Sequence, residues 1–217
     1  MCAVLHDVVL TGHGFRLEPL ALEHAEPLAR VVDETMWSGM SMPMPRGVAG
    51  MADLVAATRA APDLTGFAVR AVGDDGTLGD VLGSTAFRDL SLVDHRVEIG
   101  RTFTARSAWG TLLNPVTKWL LLRHAFETWD VHRVGFRVDA RNARSLGAMR
   151  RLGAHEEGVM RGHRTAPDGT RADSVVFSIL APEWPGVEVG LLERIARPRV
   201  VAELPHTAPA PVPLVAS

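Results

Sequence analysis

One stretch of the chain, residues 97–139, restricts the possible folds more than any other. Val97, Ile99, Arg101 and Phe103 alternate with Glu98, Gly100 and Thr102, the pattern of a half-buried strand. After a short loop, Asn114 followed by Pro115 marks a helix start, because Asn can accept an orphan N–H at the N-cap and proline fits the first helical position. The helix is expected to run to about Trp129, with Trp119, Leu122, Phe126 and Trp129 on one face and Leu120 and Leu121 widening it. HRVGFRVD, residues 132–139, reads as the next strand. Such a unit puts the unpaired N–H groups of a helix start at the end of a strand, where an anion can bind, unless the junction is a bare connection.

The flanking segments agree with an α/β chain. Residues 15–20 alternate as a strand, and residues 21–34 carry a helical stripe of Leu22, Ala25, Leu28, Ala29 and Val32. A Met-, Gly- and Pro-rich loop leads to a second helix over about 48–61. Strands are expected at 66–72 and 81–87 around the turn signal GDDG. Asn142 caps a helix that runs through Leu152 and stops at Gly153, and strands at 157–163 and 174–180 flank APDGT. From about Pro198 the proline- and alanine-rich sequence cannot build a packed layer. The expected organisation is one domain over 8–186, then a short helix and flexible tail over 187–217.

Composition narrows the chemistry. A net charge of -2 and 47% hydrophobic residues suit a globular chain and argue against a nucleic-acid binder held by bulk positive field. Cys2 is the only cysteine, so no disulfide or cysteine cage forms within one chain, and no stretch approaches the roughly 18 apolar residues of a membrane span. A cytoplasmic protein with no membrane and no metal is the expectation. The chain has no tyrosine, and Lys118 is its only lysine among 23 Lys and Arg residues. One turn inside a helix start, Lys118 reads as solvated.

The stretches VEIG (97–100), WGTLLNPVTKWLLLRHAFE (109–127), HRVGFRVDARNARSLGAMRRLGAHEEGVMRGH (132–163) and FSILAPEW (177–184) together resemble the GNAT superfamily of acyl-CoA-dependent N-acyltransferases. The resemblance is nearest to its Rim-type branch, which acetylates protein N-terminal amines. It implies a mixed α/β fold with a splayed, mostly antiparallel sheet of about six to seven strands flanked by about four helices. Acetyl-CoA would then insert between the strands at 97–105 and 132–138. Its pyrophosphate would rest on Trp109, Gly110, Thr111, Leu112, Leu113 and Asn114, and its thioester carbonyl would bond near Ile99, Gly100 and Arg101. Phe103, Arg106, Asn142 and Arg144 would complete the groove. Backbone donors fixed in place suit both phosphate oxygens and the oxyanion of acyl transfer.

The departures from the superfamily pattern carry information too. Its loop usually reads R/Q-x-x-G-x-G/A, of which only Gly110 survives here, and Leu112 brings a Cβ where glycine lets the backbone approach phosphate. The tyrosine often found in the helix that Asn142 opens is replaced by Met149, and a thioether donates no proton. Ser145, one turn earlier on the same helix face, could hydrogen-bond the CoA sulfur or be a plain helix-start residue. A thiol pKa of about 8.5 makes the thiolate a fair leaving group, so a weak acid suffices. Glu98 either takes the ammonium proton of the acceptor, directly or through water, or belongs to a structural ion pair. His95 and His132 are lesser candidates for that role.

On the acceptor side, Met36, Met40, Met42, Met44 and Met51 cluster with Trp37 around the loop between the first two helices. They read as a soft apolar rim for a peptide or small amine, or as loop packing or a homodimer contact. Asp33 and Glu34 could draw an ammonium group there. The function expected is acetyl transfer from acetyl-CoA to a primary amine, on a protein or peptide N-terminus or a small molecule. The alternative is a catalytically inactive acyl-CoA-binding or protein-interaction module of the same fold.

Overall fold

Eight runs of extended backbone share one sheet, whose central strands bury apolar side chains under helices while the edge strand over 155–165 stays largely exposed. The computed structural model describes residues 7–37, 39–40, 42–166 and 168–197. Its strands are β1 (Leu10–Gly12), β2 (Phe15–Pro19), β3 (Leu64–Val72), β4 (Leu78–Ser91), β5 (Arg96–Thr104), β6 (Arg133–Asp139), β7 (His155–Thr165) and β8 (Arg171–Leu180). The helices are α1 (Ala25–Val31), α2 (Glu34–Trp37), α3 (Gly47–Ala60), α4 (Leu113–Arg123), α5 (Ala143–Leu152) and α6 (Trp184–Ala196). The strand order is β1-β2-β3-β4-β5-β6-β8-β7, with β5 and β6 its parallel pair and the other neighbours antiparallel.

The fold class is the expected one, with eight strands and six helices among the described residues where about six to seven and about four were expected. The extra helix count has a local cause. The helical stripe over 21–34 is broken at Val32, whose extended backbone ends α1, and Asp33 restarts the chain as α2 by accepting the Met36 N–H at 2.9 Å. The helix expected to run to Trp129 is α4 followed by a wide turn over His124–Thr128, in which Trp129 N–H reaches His124 O at 3.1 Å.

Two apolar layers flank the sheet. On one face α1 and α3 bury Leu28, Met51 and Val55 against Ala68, Val81 and Phe103. On the other, α4, α5 and α6 bury Leu121, Leu122, Met149, Leu152, Leu191 and Ile195 against Val97, Ile99, Val134 and Phe177. The boundary expected at residue 186 therefore falls inside α6, which belongs to the main core: Trp184 stacks on Phe126 with ring centroids 5.5 Å apart. The tail over 198–217 and Cys2 lie outside the described residues.

Candidate functional site

The sheet opens where its parallel pairing stops. β5 and β6 pair only at Arg96 with Arg133, Val97 with Val134 and Glu98 with Gly135. Beyond that point β5 stays with β4 as far as Thr104, and β6 stays with β8 as far as Asp139, so a wedge forms between them. Its mouth is the loop that joins β5 to α4.

That loop spends alternate backbone donors on itself. Trp109 N–H bonds Arg106 O, Thr111 N–H bonds Ala108 O, and Leu113 N–H bonds Thr111 Oγ1 at 3.2 Å. The N–H groups of Gly110, Leu112 and Asn114 make no such bond among the described residues. Gly110 holds φ at +71°, which explains why glycine persists at this one place in an otherwise altered loop. Asn114 is not the N-cap: the helix begins at Leu113, its cap residue Leu112 has no side-chain acceptor, and the Thr111 hydroxyl does the capping work. Pro115 then sits at the third helical position, whose N–H has no intrahelical acceptor in any helix. The guanidinium groups of Arg144 and Arg106 lie 3.8 Å and 5.4 Å from the Trp109 ring. Spare N–H groups at a helix start, with two guanidinium groups beside the neighbouring Trp109 ring, fit a polyphosphate.

Several residues chosen from the sequence converge beside this mouth. Glu34, Met36, Trp37, Trp109, Asn142 and Arg144 line one cleft of about 690 Å³. The Trp37 indole N–H donates to Met42 O at 2.8 Å, and its ring lies 5.1 Å from that of Phe103, so the methionine loop is packed as well as lining. Asp33 has another task than attracting an ammonium. Its carboxylate takes Arg106 Nε at 2.6 Å and Nη2 at 3.0 Å, and the Arg106 hydrogen bond, then the Met36 N–H, holds the carboxyl below its ordinary range. Arg106 is thereby tied to the start of α2.

Glu98 and Ser145 do not line that cleft. The Glu98 carboxylate accepts Arg137 Nε at 2.9 Å and Nη2 at 2.8 Å, with Arg88 Nε 3.7 Å away, and it borders a separate cleft of about 530 Å³ with Asp89, Arg96 and Arg137. Its side chain lies across Gly135, where an added Cβ would sit 3.1 Å from Glu98 Cγ. The ion-pair reading of Glu98 is thus realised. Ser145, in the first turn of α5, gives its N–H to Asn142 Oδ1 at 3.0 Å, as expected of an N-cap, while its hydroxyl makes no hydrogen bond among the described residues. Met149 is buried in the core. His95 and His132 are exposed at the strand starts, away from the wedge, and His95 Nδ1 meets Asp130 O at 3.1 Å.

The strand alternation also breaks. Arg101 has φ +51°, and the β4 to β5 register shifts beside it. Ile99 therefore faces α4, while Phe103 joins the α1 and α3 layer. The Arg101 side chain turns away from the wedge to Thr58 Oγ1 at 3.3 Å and borders an apolar cavity with Met40, Met42 and Met51. Burial, then the nearby Arg88 charge, lowers its guanidinium pKa.

Two charged residues emerge that were read otherwise or not singled out. Lys118 is not solvated: it is 4% exposed, its Nζ lies 3.4 Å from Thr102 Oγ1 and 5.6 Å from the Phe136 ring centroid, and burial pushes its pKa down to about 8. The available signal was position, since Lys118 falls on the same helical stripe as Leu122 and Ala125. Asp139, at the end of β6, accepts Arg141 N–H at 2.8 Å and Nη2 at 3.0 Å and also Arg164 Nη2. That cluster shapes the turn into Asn142.

The family model described as the acetyltransferase (GNAT) domain matches residues 15–155. The chain belongs to the GNAT family of acetyltransferases, whose fold supports acyl transfer from acetyl-CoA. A structure from T. thermophilus, described as a candidate acetyltransferase, is 35% identical over 86% of this chain and 96% of that one, with a TM-score of 0.78. A GCN5-related N-acetyltransferase from Brucella melitensis shares the fold at 22% identity and TM-score 0.80, over 88% and 86% of the two chains. RimJ of Mycobacterium smegmatis, solved with CoA-disulfide, shares it at 20% identity and TM-score 0.71, over 86% and 92%. No curated protein matches the chain. Among the described residues, no group of His, Cys, Asp and Glu could hold a metal ion, and no helix is long and apolar enough to cross a membrane.

Proposed function

We propose that the protein moves an acetyl group from acetyl-CoA to a primary amine, on a protein or peptide N-terminus as in the Rim-type branch, or on a small molecule. The observation that carries this is the wedge between β5 and β6, which opens onto a helix start with three spare backbone donors. RimJ, solved with CoA-disulfide, and a Vibrio cholerae protein described as a candidate ribosomal-protein-serine acetyltransferase support it as bearers of the same fold. A cytoplasmic location accords with a single cysteine.

Acetyl-CoA supplies an acyl carbon activated as a thioester. Gly110, Leu112 and Asn114 offer N–H groups to its phosphates, and Arg144 with the Asp33-tied Arg106 adds positive charge beside them. Strand amides of β5 freed from β6 beyond Glu98 hold the carbonyl oxygen as charge develops on it. The Glu98 carboxylate, held in place by Arg137, takes the amine's surplus proton through a water. The Ser145 hydroxyl, which makes no hydrogen bond among the described residues, offers the sulfur a hydrogen bond from the first turn of α5. The cleft lined by Glu34, Met36 and Trp37 receives the acceptor.

Mass spectrometry of acetyl-CoA incubated with N-terminal peptides and small amines tests this reading. Thiol release is expected to fall by roughly 10²–10⁴ in Glu98→Ala and less in Ser145→Ala. Unchanged turnover in both variants removes these residue roles. Calorimetry separates the larger alternatives: no binding of acetyl-CoA defeats the enzyme reading, and tight binding without turnover across the amines makes the chain an inactive module.

A further inference from the structure

The wedge contains a buried cation for which the scheme above has no use. Lys118 reaches in from the second turn of α4. Its Nζ stands between the two diverging strands, near Thr102 of β5 and over the ring of Phe136 of β6, just past the last β5 to β6 pair. Phosphate donors occupy the mouth of the wedge, so the thioester end of an inserted acyl-CoA lies deeper, on the side of that last pair. Val97 and Ile99 face the α4 layer and Glu98 does not, so Lys118 and Glu98 approach the reacting carbon from opposite faces of the sheet.

The surroundings of Lys118 do little for its charge. Among the described residues no carboxylate stands within ion-pair distance, and its hydrogen-bonding neighbour, the Thr102 hydroxyl, is shared with Thr85 Oγ1 at 2.8 Å and Gly100 O at 3.3 Å. Thr102 meets it from β5 and Phe136 from β6, with Thr85 of β4 bonded to the Thr102 hydroxyl, and none of these titrates in the working range. A buried ammonium left this way is expensive, and apolar side chains of similar length fill such places without that penalty. Its retention as the only lysine of the chain calls for an anionic partner that arrives with the substrate.

We propose that Lys118 is the cation of the acyl-transfer site: its ammonium lies against the thioester sulfur, carries the charge of the departing thiolate and returns its proton. This rests on the acetyl-CoA reading above. The amine nitrogen bonds the acyl carbon, the carbon–sulfur bond breaks with its electron pair going to sulfur, and an Nζ proton passes to sulfur. The surplus proton on the acylated nitrogen leaves through Glu98 and water to solvent, from which Lys118 is reprotonated. The role that the missing tyrosine leaves open at Met149 is filled from α4. A lysine whose acidity has been brought near that of a thiol is matched to this exchange.

The test uses the full chain and coenzyme A itself. In wild type the bound thiol, followed by thiolate absorbance, is expected to titrate at least tenfold more readily than free coenzyme A, and in Lys118→Met to return to the free value while binding persists. As the chain has one lysine, ¹³C-lysine labelling gives one side-chain titration to follow. Its midpoint is expected to rise with coenzyme A and not with the desulfo analogue. Acetyl transfer should fall by roughly 10²–10³ in kcat with KM little changed, and Lys118→Arg should recover part of it. Failure of wild type to bind coenzyme A overturns the acetyl-CoA reading and this proposal together. Binding in both proteins with the same thiol titration, or kcat unchanged in a folded Lys118→Met, overturns the role of Lys118 alone. Should Lys118→Met not fold, Lys118→Gln carries the same measurements.

Discussion

Asp139 and Lys118 are both sealed from solvent, and the chain treats them in opposite ways. Asp139 is surrounded by donors: the Arg141 backbone, the Arg141 guanidinium and Arg164. Burial would raise its carboxyl, but these hydrogen bonds and charges outweigh it and hold the pKa below the ordinary range. Lys118 has one hydroxyl at 3.4 Å and no opposing charge among the described residues, and burial acts on it unopposed. A satisfied buried charge fixes a turn. An unsatisfied one is a free-energy cost that loss of the proton or an incoming anionic group relieves.

The sharpest way to break the comparison is to remove each charge. Asp139→Ala strands Arg164 and releases the turn that places Asn142, and breaking a buried pair this way typically costs about 3–5 kcal/mol. Chemical denaturation should show that loss in the unfolding midpoint. Lys118→Met, by contrast, is expected to leave stability near pH 7 unchanged or improved. A loss of less than about 1 kcal/mol at Asp139, or a loss larger than that at Lys118, removes the distinction.

The second effect is a pH dependence that the composition makes clean. The folded pKa of Lys118, about 8, lies below its ordinary 10.5, so between those values the unfolded chain binds more protons and stability rises with pH. At about 1.4 kcal/mol per unit, the rise amounts to roughly 3 kcal/mol at most. With no tyrosine and no second lysine, few other groups titrate there. Wild type should gain stability from pH 8 to 10.5, and Lys118→Met should lack that gain.

How much of this was legible from sequence depends on whether the cause is local. The order strand, helix, strand over 97–139 and the Asn142 cap are written in neighbouring residues and are found, although the helix is regular only to Arg123. The cap assigned to Asn114 failed locally, because Thr111, three residues earlier, offers the loop a hydroxyl and takes over its work. The resemblance pointed to Trp109, Asn142 and Arg144 as groove residues and the methionine-rich loop to Met36 and Trp37, but that all five line one cleft is seen only in the structure. The separation of that cleft from Glu98 is likewise seen only there, since it depends on how far β5 and β6 stay paired. Asp33 is claimed by Arg106, 73 positions away, a contact no local pattern announces. The bulge at Arg101 reverses the outward and inward sense of the strand after it, so Phe103 was assigned to the wrong face by a period-two argument that is sound up to residue 100.

Glu157 extends the comparison to the surface and is the smallest effect. Hydrogen bonds from Arg133 first and Ser178 second, opposed by burial, bring its pKa from an ordinary 4.5 to about 2. A depressed acid contributes stability that is fully present above pH 4.5 and lost as pH falls through 2. Its side chain is 34% exposed, so water and salt screen the pair and the contribution is about 1 kcal/mol or less. Acid unfolding of Glu157→Gln should therefore start from slightly lower stability at neutral pH and run shallower than wild type between pH 4.5 and 2. Added salt should shrink that difference while leaving the loss in Asp139→Ala nearly intact, because only the exposed pair lies within reach of the ions. Equal salt sensitivity at both sites would mean that burial does not separate Asp139 from Glu157, and the contrast with Lys118 would then need another basis than solvent exclusion.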